Sequence, residues 1–147
     1  MNKEIDIAEY LPHRAPFLMV DKVLSIDPHS VKTSFFIHAD NLFNDKGYLS
    51  ETGLIENAAQ NCSAIMGQTY FIEQMEDIKL IGFISAIKKI KIYALPPVES
   101  EIITVSKLLS KFNSGEYVIC TTETSTFDCQ NNMIFNSEIN LFIQEQK

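Results

Sequence analysis

The segment Thr52-Gly-Leu-Ile-Glu-Asn-Ala-Ala-Gln-Asn-Cys-Ser-Ala-Ile-Met-Gly-Gln-Thr-Tyr-Phe71 decides how the rest of the chain folds. Ile55, Ala58, Ala59, Cys62, Ile65, Met66 and Thr69 recur at intervals of three and four, one apolar stripe along an α-helix. Ser50 stands where an N-cap is needed, and Glu51 puts a carboxylate near the positive end of the helix dipole. Ala58, Ala59, Ser63, Ala64 and Gly67 are small, so another element can approach closely. The spacing predicts a helix over about Thr52 to Phe71, buried on most sides, with Ile55, Ala59, Cys62 and Met66 packed into a sheet.

Working outward, both flanks read as strands. Phe17 to Ile26 is rich in apolar and branched residues and predicts a buried strand. Asp27-Pro-His-Ser30 has turn chemistry, with Asp first and Pro second, and Val31 to His38 returns as the partner of a hairpin. Before these, Ile5 to Leu11 reads as a short helix that Pro12 ends. Ala39 to Leu49 has no clear period and predicts a loop. Downstream, Leu80 to Tyr93 alternates like a strand but slips at Lys88-Lys89, the mark of a bulge. Leu95 to Ser100 is a turn, and Glu101 to Phe112, Glu116 to Phe127 and Met133 to Gln144 are three more strands. Two strands, a buried helix and four long strands imply an α+β fold, a curved antiparallel sheet wrapped around one helix.

At 147 residues the chain has the length of a single domain, residues 1–147, and its 46% hydrophobic content is too high for disorder. No apolar run nears the roughly 20 residues of a membrane span. Met1-Asn-Lys-Glu-Ile-Asp6 is acidic where a signal peptide is basic and then apolar, so export is not expected. Cys62, Cys120 and Cys129 are an odd number without metal-ligand spacing, which fits reduced thiols in a cytoplasmic protein. A net charge of −7 argues against a nucleic-acid partner.

Few residues offer chemistry. Glu56 lies beside the apolar stripe in line with Gln60, Ser63 and Gly67, a narrow polar and small flank. The ordinary reading is a solvated helix-surface carboxylate. The sharper one is a half-buried acid or base at the mouth of an apolar pocket. His13 sits between Pro12 and Arg14, either bracing that bend or facing a pocket; His38 ends a strand and His29 occupies the turn. No spacing of His, Cys or paired carboxylates suggests a metal, no glycine-rich loop would cradle a phosphate, and no cofactor is expected. Lys88, Lys89 and Lys91 form a basic cluster that is either edge protection or a docking patch for an acidic carrier, with Arg14 joining if the fold allows.

Three segments carry a family resemblance. Leu11-Pro-His-Arg-Ala-Pro-Phe-Leu-Met-Val-Asp-Lys-Val23 resembles the opening motif of the hotdog-fold 3-hydroxyacyl-acyl-carrier-protein dehydratases. Gly53-Leu-Ile-Glu-Asn-Ala-Ala-Gln60 resembles the start of their central helix, and Gly82 to Val98 their third strand and the turn after it. The resemblance implies a hotdog fold and a catalytic role for Glu56, with Gln60 and Ser63 beside the substrate. Where that family carries a catalytic His in a His-Phe-Pro loop, this chain has Leu42, Phe43 and Asn44, and Ser50-Glu51 replaces Pro-Gly. The loop is similar to that of the atypical dehydratase-like subunits of aryl-polyene pigment pathways.

Dehydration of a β-hydroxyacyl thioester needs one proton taken from the α-carbon and one given to the leaving hydroxyl. The resemblance implies sites shared across a dimer, so the missing His leaves three arrangements open. Another histidine, His13 before His38, could serve; a different subunit could supply one in a heterodimer, the arrangement the motif context favours; or the chain holds an acyl chain without chemistry. An acyl thioesterase on the same fold is a further alternative. The implied partners are an acyl carrier protein and a second hotdog subunit, identical or not.

Overall fold

Ser50 begins the helix as expected: its hydroxyl accepts the Gly53 N–H at 3.3 Å and its carbonyl the Leu54 N–H at 3.1 Å. The computed structural model describes residues 6, 7, 11, 13–72 and 79–146. The elements are β1 (Lys22–Asp27), β2 (Ser30–Ile37), β3 (Asn44–Asp45), β4 (Tyr48–Leu49), α1 (Glu51–Ile72), β5 (Lys79–Ile92), β6 (Ser100–Asn113), β7 (Tyr117–Phe127) and β8 (Met133–Gln146). The six long strands form one antiparallel sheet in the order β1-β2-β6-β7-β8-β5. This is the α+β arrangement the sequence implies, with β1 and β5 as its edges. No helix among the described residues is long and apolar enough to cross a membrane.

Alternation sets the two faces of the sheet. Ile102 of β6, Val118 and Cys120 of β7, and Phe135, Ile139, Leu141 and Ile143 of β8 are buried against Leu54, Ala58, Ala59, Cys62 and Met66 of α1. Ile55 packs against this core while staying partly exposed. A second cluster joins Ile7, Leu11, Val20 and Val31 to Ala64 and Ile65, so the N-terminal segment seals one flank of the helix.

Two local expectations are corrected, and a third falls largely outside the described residues. Phe17 to Asp21 is not strand; β1 begins at Lys22 and is mostly exposed, because Met19 gives its backbone hydrogen bonds to side chains of α1 instead of a neighbouring strand. The 39–49 loop contains the β3–β4 hairpin, which turns through Lys46 and Gly47 at φ 54° and 91°. Leu49 N–H to Pro96 O and Val98 N–H to Gly47 O, both 2.9 Å, clip it to the turn after β5. Of the expected short helix, Asp6, Ile7 and Leu11 are described, the Leu11 N–H donating to Ile7 O at 3.0 Å, and Ile5, Ala8, Glu9, Tyr10 and Pro12 lie outside the described residues. The connection at 73–78 also lies outside them.

The expected slip in β5 is real and doubled. Ser85 and Lys88 are each an extra residue relative to β8, since Ile84 and Ala86 pair with consecutive partners, as do Ile87 and Lys89. Gly53 is required by packing: a Cβ there would lie 2.6 Å from Leu49 Cδ1 and 2.8 Å from Phe43 Cβ.

Candidate active site

Residues 13–21 lie along α1, and side-chain amides hold them there. Gln60 accepts the Met19 N–H at 2.7 Å on its Oε1, while its Nε2 donates to Phe17 O at 2.9 Å and to Glu56 Oε1 at 2.8 Å. Asn57 Nδ2 donates to Met19 O at 2.7 Å. The bend before Phe17 is closed by Phe17 and Leu18 N–H groups on Arg14 O, at 2.9 and 3.1 Å. Arg14 braces it further, donating to Leu11 O at 2.8 Å and His13 O at 2.7 Å.

This docking brings His13 Nε2 to 4.0 Å from Glu56 Oε1, with the two side chains 31% and 36% exposed. The pair is within one chain, so a histidine is available beside Glu56 without a second subunit. Burial lowers the pKa of His13 below its usual 6.5; the Glu56 charge pulls it back up and the Arg14 charge lowers it further. The imidazole is therefore biased toward its neutral form. Its Nδ1 is buried with no hydrogen-bond partner among the described residues. A neutral imidazole and a carboxyl group at this separation can take up and deliver protons on adjacent atoms of a bound molecule.

The other expected residues scatter. Ser63, two turns beyond Glu56, lies beside the Gly82 backbone of β5, where a Cβ would meet its Oγ at 3.7 Å. His29 is exposed in its turn, and exposed His38 packs edge-on to Phe36 with ring centroids 4.8 Å apart. Lys88, Lys89 and Lys91 are all exposed on the β5 edge. Lys88 is a bulge residue, Lys89 faces Glu138 across the strands, and Lys91 faces Asn136, so Lys89 has a countercharge.

Sequence reasoning missed a buried polar layer beneath the helix. Thr104 donates to Asn57 Oδ1 at 2.7 Å and Thr33 to Asn61 Oδ1, while Asn61 Nδ2 donates to Ser106 Oγ at 2.6 Å. Ser106 and Thr124 hydroxyls are 2.7 Å apart, and Cys62 Sγ lies 3.1 Å from Thr124 Oγ1. Burial pushes the Cys62 thiol up, and Cys120 up to about 11, so neither is a ready nucleophile. The available signal was the four-residue spacing of Asn57 and Asn61 and the period-two hydroxyls Thr104/Ser106 and Thr122/Thr124/Thr126.

Comparison with known proteins places the fold and the family. The chain is similar over 99% of its length, and 94% of the other's, to a chain of the dehydratase heterocomplex ApeI:P from Xenorhabdus doucetiae, at a TM-score of 0.80 and 19% identity. A sigma28-regulated virulence protein from Campylobacter jejuni matches at a TM-score of 0.67 and 12% identity, covering 96% of this chain and 87% of that one. A hypothetical thioesterase with coenzyme A from Streptococcus pneumoniae matches at 0.60 and 7% identity, covering 86% and 87%. At these identities the likeness establishes the hotdog fold. No curated protein matches the sequence. The model of the ApeP dehydratase family matches residues 5–146, nearly the whole chain, and the chain belongs to that ApeP-like dehydratase family.

Proposed function

We propose that this chain is a dehydratase subunit that removes water from a 3-hydroxyacyl thioester, with His13 and Glu56 dividing the two proton transfers. The observation that carries this reading is the 4.0 Å approach of His13 Nε2 to Glu56 Oε1. His13, biased toward the neutral imidazole by burial, takes the proton from the α-carbon. The electron pair of that C–H bond becomes the new double bond as the β-carbon–oxygen bond breaks. Glu56 relays that proton from the imidazolium, 4.0 Å away, to the departing hydroxyl, which leaves as water, and the neutral imidazole and the carboxylate are restored. Gln60 keeps Glu56 aimed through its 2.8 Å hydrogen bond.

A second subunit fits the β5 edge. Phe83, Ile87 and Ile90 are large exposed hydrophobics on this single strand, and exposed Tyr93 follows directly after it. Pairing with an identical copy about a two-fold axis in the Lys88–Lys91 region would bring lysines toward lysines, which favours a different hotdog subunit there. The geometry moves the weight for the histidine from that partner to His13. The substrate rides on an acyl carrier protein, whose acidic surface suits the exposed Lys88, Lys89 and Lys91 of β5, while Arg14 is engaged in its own turn on Leu11 O and His13 O. The cysteine pattern supports a cytoplasmic setting.

The test is an assay of purified protein with a β-hydroxyacyl carrier substrate, run alone and with a second hotdog dehydratase subunit. Enoyl thioester formation that falls in both His13→Gln and Glu56→Gln, with the fold intact, is expected. Full activity in both variants sinks the assignment, and activity sensitive to Glu56 alone returns the histidine to the partner.

A further inference from the structure

We propose that Asn57 is the positioning residue of this site, holding His13 against Glu56 by way of Met19. The inference rests on the dehydratase reading of the pair and extends it to a side chain in the core. Asn57 is 0% exposed and joins three elements: its Nδ2 donates to Met19 O at 2.7 Å, and its Oδ1 accepts from Thr104 of β6 at 2.7 Å. Thr104 in turn lies 3.2 Å from the Thr126 hydroxyl of β7. The amide is thereby fixed in orientation by the sheet before it reaches the N-terminal segment.

Both backbone polar groups of Met19 are committed to α1, the N–H to Gln60 and the carbonyl to Asn57. From Met19 the chain runs back to His13 through the turn closed on Arg14 O. Glu56 and Asn57 are neighbours on one helical turn. That turn therefore sets one member of the pair directly and the other through Met19. An apolar residue at 57 would occupy the space but take the partner from the Met19 carbonyl and leave the Thr104 hydroxyl only Thr126, so the site demands the amide for its hydrogen bonds and not for its volume. A displacement of about 1 Å of a reacting group can cost on the order of 10²-fold in rate.

The experiment is an NMR titration of the His13 imidazole. Glu56→Gln removes the charge that supports the imidazolium, so in an otherwise native chain the His13 pKa falls. In an Asn57→Ala background the same change is expected to leave the His13 pKa nearly unmoved, because the segment has drawn away. An equal fall in both backgrounds overturns the proposal. Asn57→Leu, which keeps the volume, carries the same comparison if Asn57→Ala does not fold. In the carrier-substrate assay, Asn57→Ala should lower kcat about 10²-fold with KM little changed. Lost coupling in a chain that dehydrates nothing would keep the positioning role and remove the dehydratase reading. Surviving coupling in an active dehydratase would do the reverse.

Discussion

On the side of α1 that faces the sheet, Asn57 and Asn61 meet Thr33, Thr104, Ser106 and Thr124, all 1% exposed or less. On the side that faces residues 13–19, Gln60 meets the Phe17 and Met19 backbone and Glu56 meets His13, and Glu56 and His13 each keep about a third of their side chain open. The two sides share side-chain amides and differ in the rest: the sheet side adds hydroxyls and the Cys62 thiol, the other the Glu56 carboxylate and the His13 imidazole. The sheet side is a closed network in which donors meet acceptors, its loose end being the Ser137 hydroxyl on β8. Its members are buried, and the low dielectric there makes each bond costly to remove. The other side leaves a buried imidazole nitrogen unmatched and a carboxylate within reach of solvent. Closure makes a polar group structural; incompleteness at an accessible edge makes it chemical.

The largest effect should separate the two sides. Glu56→Gln should lower the dehydration rate by roughly 10²–10⁴ while leaving the melting temperature nearly unchanged. Asn61→Ala should do the opposite, removing the partner of Thr33 and Ser106 and destabilising the fold by about 1–3 kcal/mol in denaturant titration. A rate loss without a stability loss in Asn61→Ala would break the division. Gly53→Ala tests whether the loop over the helix N-terminus is held by packing. The added methyl meets Leu49 and Phe43 too closely, and a net destabilisation of about 1–2 kcal/mol is expected after the gain in helix propensity.

A smaller effect follows from His13. Its folded pKa lies below 6.5, so the unfolded chain binds the proton more readily. The stability contributed by this group is complete above about pH 6.5 and declines as pH falls through that value toward the folded pKa. Thermal melts from pH 7.5 to 5 should show this decline in the native chain and a shallower one in His13→Gln. The smallest effect belongs to the β5 edge. Changing Lys88, Lys89 and Lys91 to Glu should slow association with an acidic carrier at low salt and lose that influence as salt rises, read by stopped-flow mixing.

What the sequence made legible was local. The stripe from Ile55 to Met66, the Ser50 cap, the Asp27-Pro28 turn and the slip at Lys88 each rest on residues within a few positions of one another, and each is found. The misreading of Phe17 to Asp21 has a non-local cause. Apolar, branched residues there look like strand, but their hydrogen-bond partners, Asn57 and Gln60, lie some forty residues away on a helix. The same distance hid the site. Glu56 stood out on its flank, whereas the nearness of His13 depends on amides whose targets no spacing rule reveals. The imidazole could be weighed as a candidate and not placed.

The two bulges of β5 have a consequence for the company this protein keeps. Between them and the strand ends, the ladder offers uninterrupted runs from Lys79 to Ile84, from Ala86 to Ile87 and from Lys89 to Ile92. An unrelated strand with ordinary two-residue rhythm falls out of step twice along that border, so it gains only fragments of a ladder. A companion shaped to the same syncopation can follow it end to end. The irregular edge thus works as a backbone lock against the sticky strands of misfolded neighbours.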